Sequence, residues 1–157
     1  PINAVRIFNE KEVDELIVLD IDASTHERDP DYQMIEKLAA ESRMPLCYGG
    51  GVKTVEQARA IIGLGVEKVS LSSGVLAEPM LISKIAEEVG RQSVVVVLDV
   101  KKSSSGKYEL WTHNGKVNTS RDPADFAEQA EKLGAGEIIV NSIDNDGHPS
   151  LHNAPPN

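Results

Sequence analysis

Short continuous apolar runs alternate along this chain with amphipathic stretches of helical length. Of the runs at 16–19, 45–48, 68–71, 94–98 and 138–140 most are β-branched and continuous rather than alternating. That pattern fits strands covered on both faces. Between them lie helices with legible ends. Residues 31–40 set Met34, Ile35 and Leu38 on one face. Thr54-Val55-Glu56-Gln57 reads as a capping box, followed by Ala58, Ile61 and Ile62 and a stop at Gly63 or Gly65. Glu78-Pro79 opens a helix carrying Leu81, Ile82 and Ile85 and ending at Gly90. Asp122-Pro123 opens another, with Phe126 and Ala130, closing at Gly134. Residues 2–12 predict one more helix, with Val5 and Phe8 facing inward.

This order predicts an α/β fold with a parallel sheet. A doubly wound sheet and a (β/α)8 barrel both satisfy it. One excursion interrupts the alternation: runs at 108–112 and 116–119 flank His113-Asn114-Gly115, a hairpin signal placed after the 94–100 strand. The stretches 15–22 and 137–144 share an acidic entry, an apolar body and an Ile-Asp exit, the kind of repeat a duplicated half-barrel leaves.

Composition narrows the function classes. The 157 residues suit one domain, and the formal net charge of −9 argues against a nucleic-acid partner, whose phosphates demand a basic face. A small phosphorylated ligand stays compatible, because backbone N–H groups hold phosphate without many lysines. No apolar run approaches the ~20 residues of a membrane span, so no membrane partner is expected. The lone Cys47 suits a reducing, cytoplasmic setting. His26, His113, His148 and His152 lack metal-ligand spacing, so neither a metal nor a cofactor is expected.

Polar residues collect where the predicted strands end: Asp20 and Asp22, the glycines at 49–51, Ser70, Ser72 and Ser73, Asp99 and Lys101, and Asn141, Ser142 and Asp144. Ligands of parallel α/β proteins sit at those ends. Capping of the following helix is the competing account for any single one. Gly50 and Gly51 before a capped helix, with Ser72 and Ser73 after the next strand, form a plausible phosphate cradle. Asp99, directly after five apolar residues, is a carboxylate at the mouth suited to general acid or base work, with Lys101 its nearest basic neighbour.

Taken together these motifs resemble the cyclase subunit of imidazole glycerol phosphate synthase. The resemblance rests on Leu-Asp-Ile-Asp-Ala-Ser at 19–24, Gly-Gly-Gly-Val at 49–52, Glu-Lys-Val-Ser-Leu-Ser-Ser at 67–73 and Val-Val-Val-Val-Leu-Asp-Val-Lys at 94–101. Gly-Lys-Val-Asn-Thr at 115–119 and the segment 134–147 extend it in order and spacing. It implies a partial (β/α)8 TIM-type barrel over residues 1–147, strands two to six of eight, with a Pro-containing tail at 148–157 that matches nothing in the family.

The resemblance also implies roles. Asp99 matches a catalytic carboxylate. Gly50, Gly51, Ser72 and Ser73 match the site of one substrate phosphate, and Asp146 and Gly147 part of the site of the other. Asp20, Lys101, Asn118, Thr119, Asn141 and Ser142 are candidate substrate contacts. Glu15, Lys68 and Glu137 match three of four charges ringing the end where ammonia enters from a glutaminase subunit. The opening residues and Met-Pro-Leu-Cys-Tyr at 44–48 look closer to a paralogous branch associated with sugar amidotransferases of surface-polysaccharide synthesis.

The family's first strand, with its other catalytic Asp, has no counterpart in this sequence, nor do strands seven and eight. The expected function is therefore a truncated member that retains a phosphate site without being a competent cyclase alone. Two alternatives stand beside it. One is an active cyclase forming imidazole glycerol phosphate from ammonia and a ribulose phosphate in histidine biosynthesis. The other is an ammonia-delivering partner of a sugar amidotransferase. Open sheet edges predict a homo-oligomer.

Overall fold

The computed structural model describes residues 2–26 and 28–145. Asp146, Gly147 and the 148–157 tail lie outside the described residues. The chain begins with helix α1 (Ile2–Glu10) and strand β1 (Leu16–Leu19), then helices α2 (Ile21–Thr25) and α3 (Tyr32–Glu41). Next come β2 (Leu46–Gly49), α4 (Val55–Gly63), β3 (Lys68–Leu71), α5 (Ser73–Ala77) and α6 (Met80–Val89). The long β4 (Val94–Lys102) leads into the hairpin strands β5 (Tyr108–Thr112) and β6 (Val117–Asn118), and α7 (Pro123–Leu133) and β7 (Glu137–Ser142) complete the fold.

Strands β1, β2, β3, β4 and β7 pair in that order, all parallel. The sheet curls into a half-barrel, a partial TIM-type barrel. Alternation along the strands sorts residues between two faces. Leu46, Tyr48, Val69, Leu71, Val94, Val96 and Leu98 pack with Ile61 of α4 and Ile82 and Ile85 of α6 into the main core. Cys47, Val95 and Val97 form a separate cluster with Ile139 on the other, concave face. The expectation of strands buried on both faces holds for β2, most of β3 and the body of β4, whereas the border strands β1 and β7 are partly exposed.

β4 is long because it serves two neighbours along one edge. Val94–Val96 pair with β3, and beyond β3's end Asp99–Lys102 pair antiparallel with β5. The hairpin thus stands over the carboxyl end of the sheet. Its turn places His113, Asn114 and Gly115 in left-handed backbone, and Lys116 N–H donates to the Thr112 carbonyl at 3.1 Å. The second arm is regular only over Val117–Asn118, shorter than the sequence predicts.

The helix ends follow the sequence signals. Thr54 and Gln57 close a reciprocal capping box, and Asp122 caps α7 over Pro123 with a left-handed Gly134 at its end. Phe8 departs from expectation. α1 docks on α3 through buried Val5, which leaves Phe8 38% exposed. Among the described residues β1 pairs only with β2 and β7 only with β4. Leu19 (50% exposed) and Val140 (60%) mark the same open borders. Among the described residues no helix is long and apolar enough to cross a membrane.

Candidate functional site

Parallel pairing points every strand of the half-barrel the same way, so their carboxyl ends converge on an open cavity of about 520 Å³. That is within the range of small-molecule sites. Asp20, Gly50, Ser72, Ser73, Asp99, Lys101 and Asn141 all line it. The geometry explains why each can be there. Asp20 N–H donates to the Gly49 carbonyl at 2.7 Å, prolonging the β1–β2 ladder by one residue. The Asp20 carboxylate then accepts from Ala23 N–H at 3.0 Å and caps α2. Capping and cavity lining thus coincide in one residue.

Gly50 has φ +126° and lies against Asp20, where a β-carbon would come 2.5 Å from the Asp20 carbonyl oxygen. Gly51 does not line the cavity; it packs against the Arg28 carbonyl. α4 behind these glycines is firmly seated. Gln57 Oε1 accepts from Thr54 N–H at 3.1 Å and Lys53 N–H at 2.7 Å, while Gln57 Nε2 donates to Asp29 at 2.9 Å. Ser72 leaves β3 without a side-chain cap bond, so its hydroxyl is not consumed by α5.

Asp99 is half-buried and held by its neighbour strand. It faces Asn141 in the β4–β7 register, and Asn141 Nδ2 donates to Asp99 Oδ1 at 3.0 Å. This bond leaves the second carboxylate oxygen for other contacts. Lys101, two residues on, carries its Nζ 4.9 Å from the centroid of the Trp111 ring.

Three other expected contacts stand away from the cavity. Asn118 Nδ2 donates to Glu109 at 2.7 Å, Thr119 Oγ1 donates to the Leu110 carbonyl at 2.8 Å, and Ser142 lies opposite Val100 in the β4–β7 backbone register. None of the three lines the cavity. Sequence reasoning missed Asn114 and Gly115, which do line it. The Asn-Gly hairpin signal locates the turn, and only the antiparallel register with β4 brings its tip over the strand ends. Trp111 likewise carries no local signal of a place at the site. The Asp99–Trp111 pairing sets it beside the carboxylate.

At the opposite end of the strands a charged cluster stands on the concave face. Lys68 Nζ lies 2.8 Å from Glu15 and 3.1 Å from Glu137. Hydrogen bonds to Glu15 and then Glu137 hold the Lys68 ammonium above the ordinary lysine range. Cys47, fully buried, has its thiol pushed up to about 12, by burial first and then by the Glu15 carboxylate. Glu15, Lys68 and Glu137 come together at the strand entries rather than the exits.

The comparisons with known proteins follow this geometry. A family model described as "Histidine biosynthesis protein" matches residues 1–154. The chain is 60% identical over 148 residues to a Vibrio vulnificus (strain YJ016) protein named "Putative imidazole glycerol phosphate synthase subunit hisF3", covering 94% of this chain and 57% of that protein. It is 54% identical over 148 residues to a Leptospira borgpetersenii protein named "Putative imidazole glycerol phosphate synthase subunit HisF", with 94% and 58% covered. To the Alkaliphilus metalliredigens (strain QYMF) protein named "Imidazole glycerol phosphate synthase subunit HisF" it is 39% identical over 150 residues, with 96% and 60% covered. The chain therefore spans less than two thirds of the length of these curated relatives. A parallel half-barrel with its polar residues gathered at the strand exits, matched over nearly all of its sequence, belongs to the histidine biosynthesis protein family, and its relatives there carry the name imidazole glycerol phosphate synthase subunit HisF.

Proposed function

We propose that this chain binds a phosphorylated small molecule in the cavity at its strand ends and does not complete cyclase chemistry by itself. The observation that carries the reading is the joint lining of one cavity by Gly50, Ser72, Ser73 and Asp99. Backbone amides freed of side-chain cover and two hydroxyls suit a phosphate, and Asp99 suits proton transfer to or from the remainder of the ligand. Of the two cavity carboxylates Asp20 is committed to capping α2, which leaves Asp99 to serve one end of such a proton transfer. The cyclase of the resemblance uses two.

The test is calorimetric binding of a ribulose phosphate to the whole chain, followed by an assay for imidazole formation with ammonium supplied. Saturable binding without turnover is expected. Failure to bind overturns the reading. Turnover that falls in Asp99→Asn replaces it with the active-cyclase alternative.

The Lys68 cluster favours one addition. A charged trio at the far end of a barrel wall, 2.8 and 3.1 Å across its two bonds, is a suitable docking and entry point for a glutaminase that hands over ammonia. Passing that ammonia to a sugar amidotransferase would use the same end. The open edges of β1 and β7 enter the reading as well. Each presents a row of backbone donors and acceptors, bordered by exposed Leu19 and Val140, and a second copy of this chain offers a matching row. Light scattering is expected to give at least twice the chain mass; a single-chain mass overturns that part.

A further inference from the structure

The cavity has an unbalanced lining for an anion site. Asp20 and Asp99 contribute two carboxylates, and among the described residues lining it Lys101 is the one cation. A phosphate entering there needs that charge placed toward it rather than toward Asp99 or bulk water. A lysine side chain has four rotatable bonds, so something must restrict it.

The restricting group is on the hairpin. Asp99 and Trp111 are direct antiparallel partners, which puts their side chains on the same face of the sheet, and Lys101 follows on that face two residues later. The Lys101 ammonium lies over the Trp111 ring, 4.9 Å from its centroid, well inside cation–π range. The indole edge of that ring is covered. Its Nε1 is buried with no hydrogen-bond partner among the described residues. The hairpin turn above packs down on the end of β7, where a β-carbon on Gly115 would come 2.6 Å from Ile143 Cδ1.

We propose that Trp111 is a positioning residue that holds the Lys101 ammonium over the cavity as its anion contact on the hairpin side, and that phosphate draws the ammonium off the ring. The proposal rests on reading the cavity as a phosphate site. The strengths are ordered suitably: an ammonium's charge-assisted hydrogen bonds to phosphate are stronger than its attraction to a partly exposed ring. The ring orients Lys101 without trapping it. This assigns the hairpin a part in ligand binding that needs no direct contact between its strands and the ligand.

Trp111 is the chain's one tryptophan, so tryptophan emission reports the surroundings of this ring, and Lys101→Met separates the ammonium's share. The test titrates the whole chain with inorganic phosphate at constant ionic strength, following tryptophan fluorescence and, separately, phosphate binding by 31P NMR. Both signals are expected to saturate at the same midpoint. Lys101→Met is expected to abolish the fluorescence response and weaken binding about tenfold. Trp111→Leu should weaken it about threefold, and Trp111→Phe, which keeps an aromatic face, should restore most of that loss. Near-UV circular dichroism of Lys101→Met and far-UV circular dichroism of all three variants check folding.

Phosphate binding without any change in Trp111 emission, and undiminished in Trp111→Leu, overturns the positioning role while leaving the cavity reading intact. Equal weakening in Trp111→Leu and Trp111→Phe also overturns it, because only packing would then have been lost. No 31P response in the unaltered chain sinks the cavity reading and this inference together.

Discussion

Gly50→Ala is expected to lower unfolding stability by about 3 kcal/mol and to remove phosphate binding at the cavity. Two separate effects add at this position. The backbone has φ +126°, a conformation that costs an L side chain about 1–3 kcal/mol. A β-carbon would also stand 2.5 Å from the Asp20 carbonyl oxygen and 2.8 Å from Asp20 Cβ. Asp20 cannot retreat cheaply. Its N–H is bonded to Gly49 at 2.7 Å and its carboxylate caps α2 at 3.0 Å, so relief on one side breaks the ladder or the helix start. Either movement displaces the segment that walls the cavity. Gly63→Ala is the matched control: it closes α4, meets nothing within 4 Å, and should leave stability unchanged or raise it by up to about 1 kcal/mol. Urea unfolding of both variants measures the difference. Equal midpoints for Gly50→Ala and the unaltered chain would mean that Gly50 is not the pinch point described.

Most of this architecture is legible in the sequence, for reasons that differ by element. α4 and α7 are readable because their caps are local: Thr54 with Gln57, and Asp122 with Pro123, satisfy amides within one turn and need nothing distant. α2 and α5 are not readable, because five residues do not establish a helical period. Phe8 misleads because periodicity defines an apolar stripe but not which part of it is covered; the α1–α3 packing covers Val5. The cavity lining is largely legible since parallel strands deliver Asp20, Ser72, Asp99 and Asn141 to one end by topology alone. What escapes is whatever depends on register. Asn118 and Thr119 lie beside the Asn-Gly turn in sequence, yet their side chains are spent on Glu109 and Leu110. Asn114 and Gly115 reach the cavity because the hairpin pairs Asp99 with Trp111, and no local pattern fixes that pairing.

Lys68→Met should cost about 2 kcal/mol at neutral pH, less than the roughly 3–5 kcal/mol of breaking a fully buried pair. The discount follows from exposure: the Lys68 side chain is 24% exposed but Glu137 is 43% exposed, so water screens part of the attraction. Without the ammonium, Glu15 and Glu137 face each other across the space it occupied, beside buried Cys47. The pH dependence separates the contributors. Lys68 holds its proton more tightly folded than unfolded, so its contribution is complete below the ordinary lysine value of about 10.4 and is lost as pH rises through its higher folded value. Cys47 adds a second alkaline loss. Its thiol, pushed up to about 12, stays protonated in the fold while the unfolded chain releases the proton from about pH 8.5. Stability should therefore begin to fall near pH 9 and steepen above about 10.5. Cys47→Ala should flatten the first part and Lys68→Met should lessen the second, to which Tyr48, its hydroxyl also raised by burial, contributes as well; both are read from urea midpoints between pH 7 and 11.5. A Lys68→Met variant as stable as the unaltered chain at pH 7, with the same alkaline profile, would reduce the trio to screened surface charges and remove the physical basis for a fixed entry point at that end.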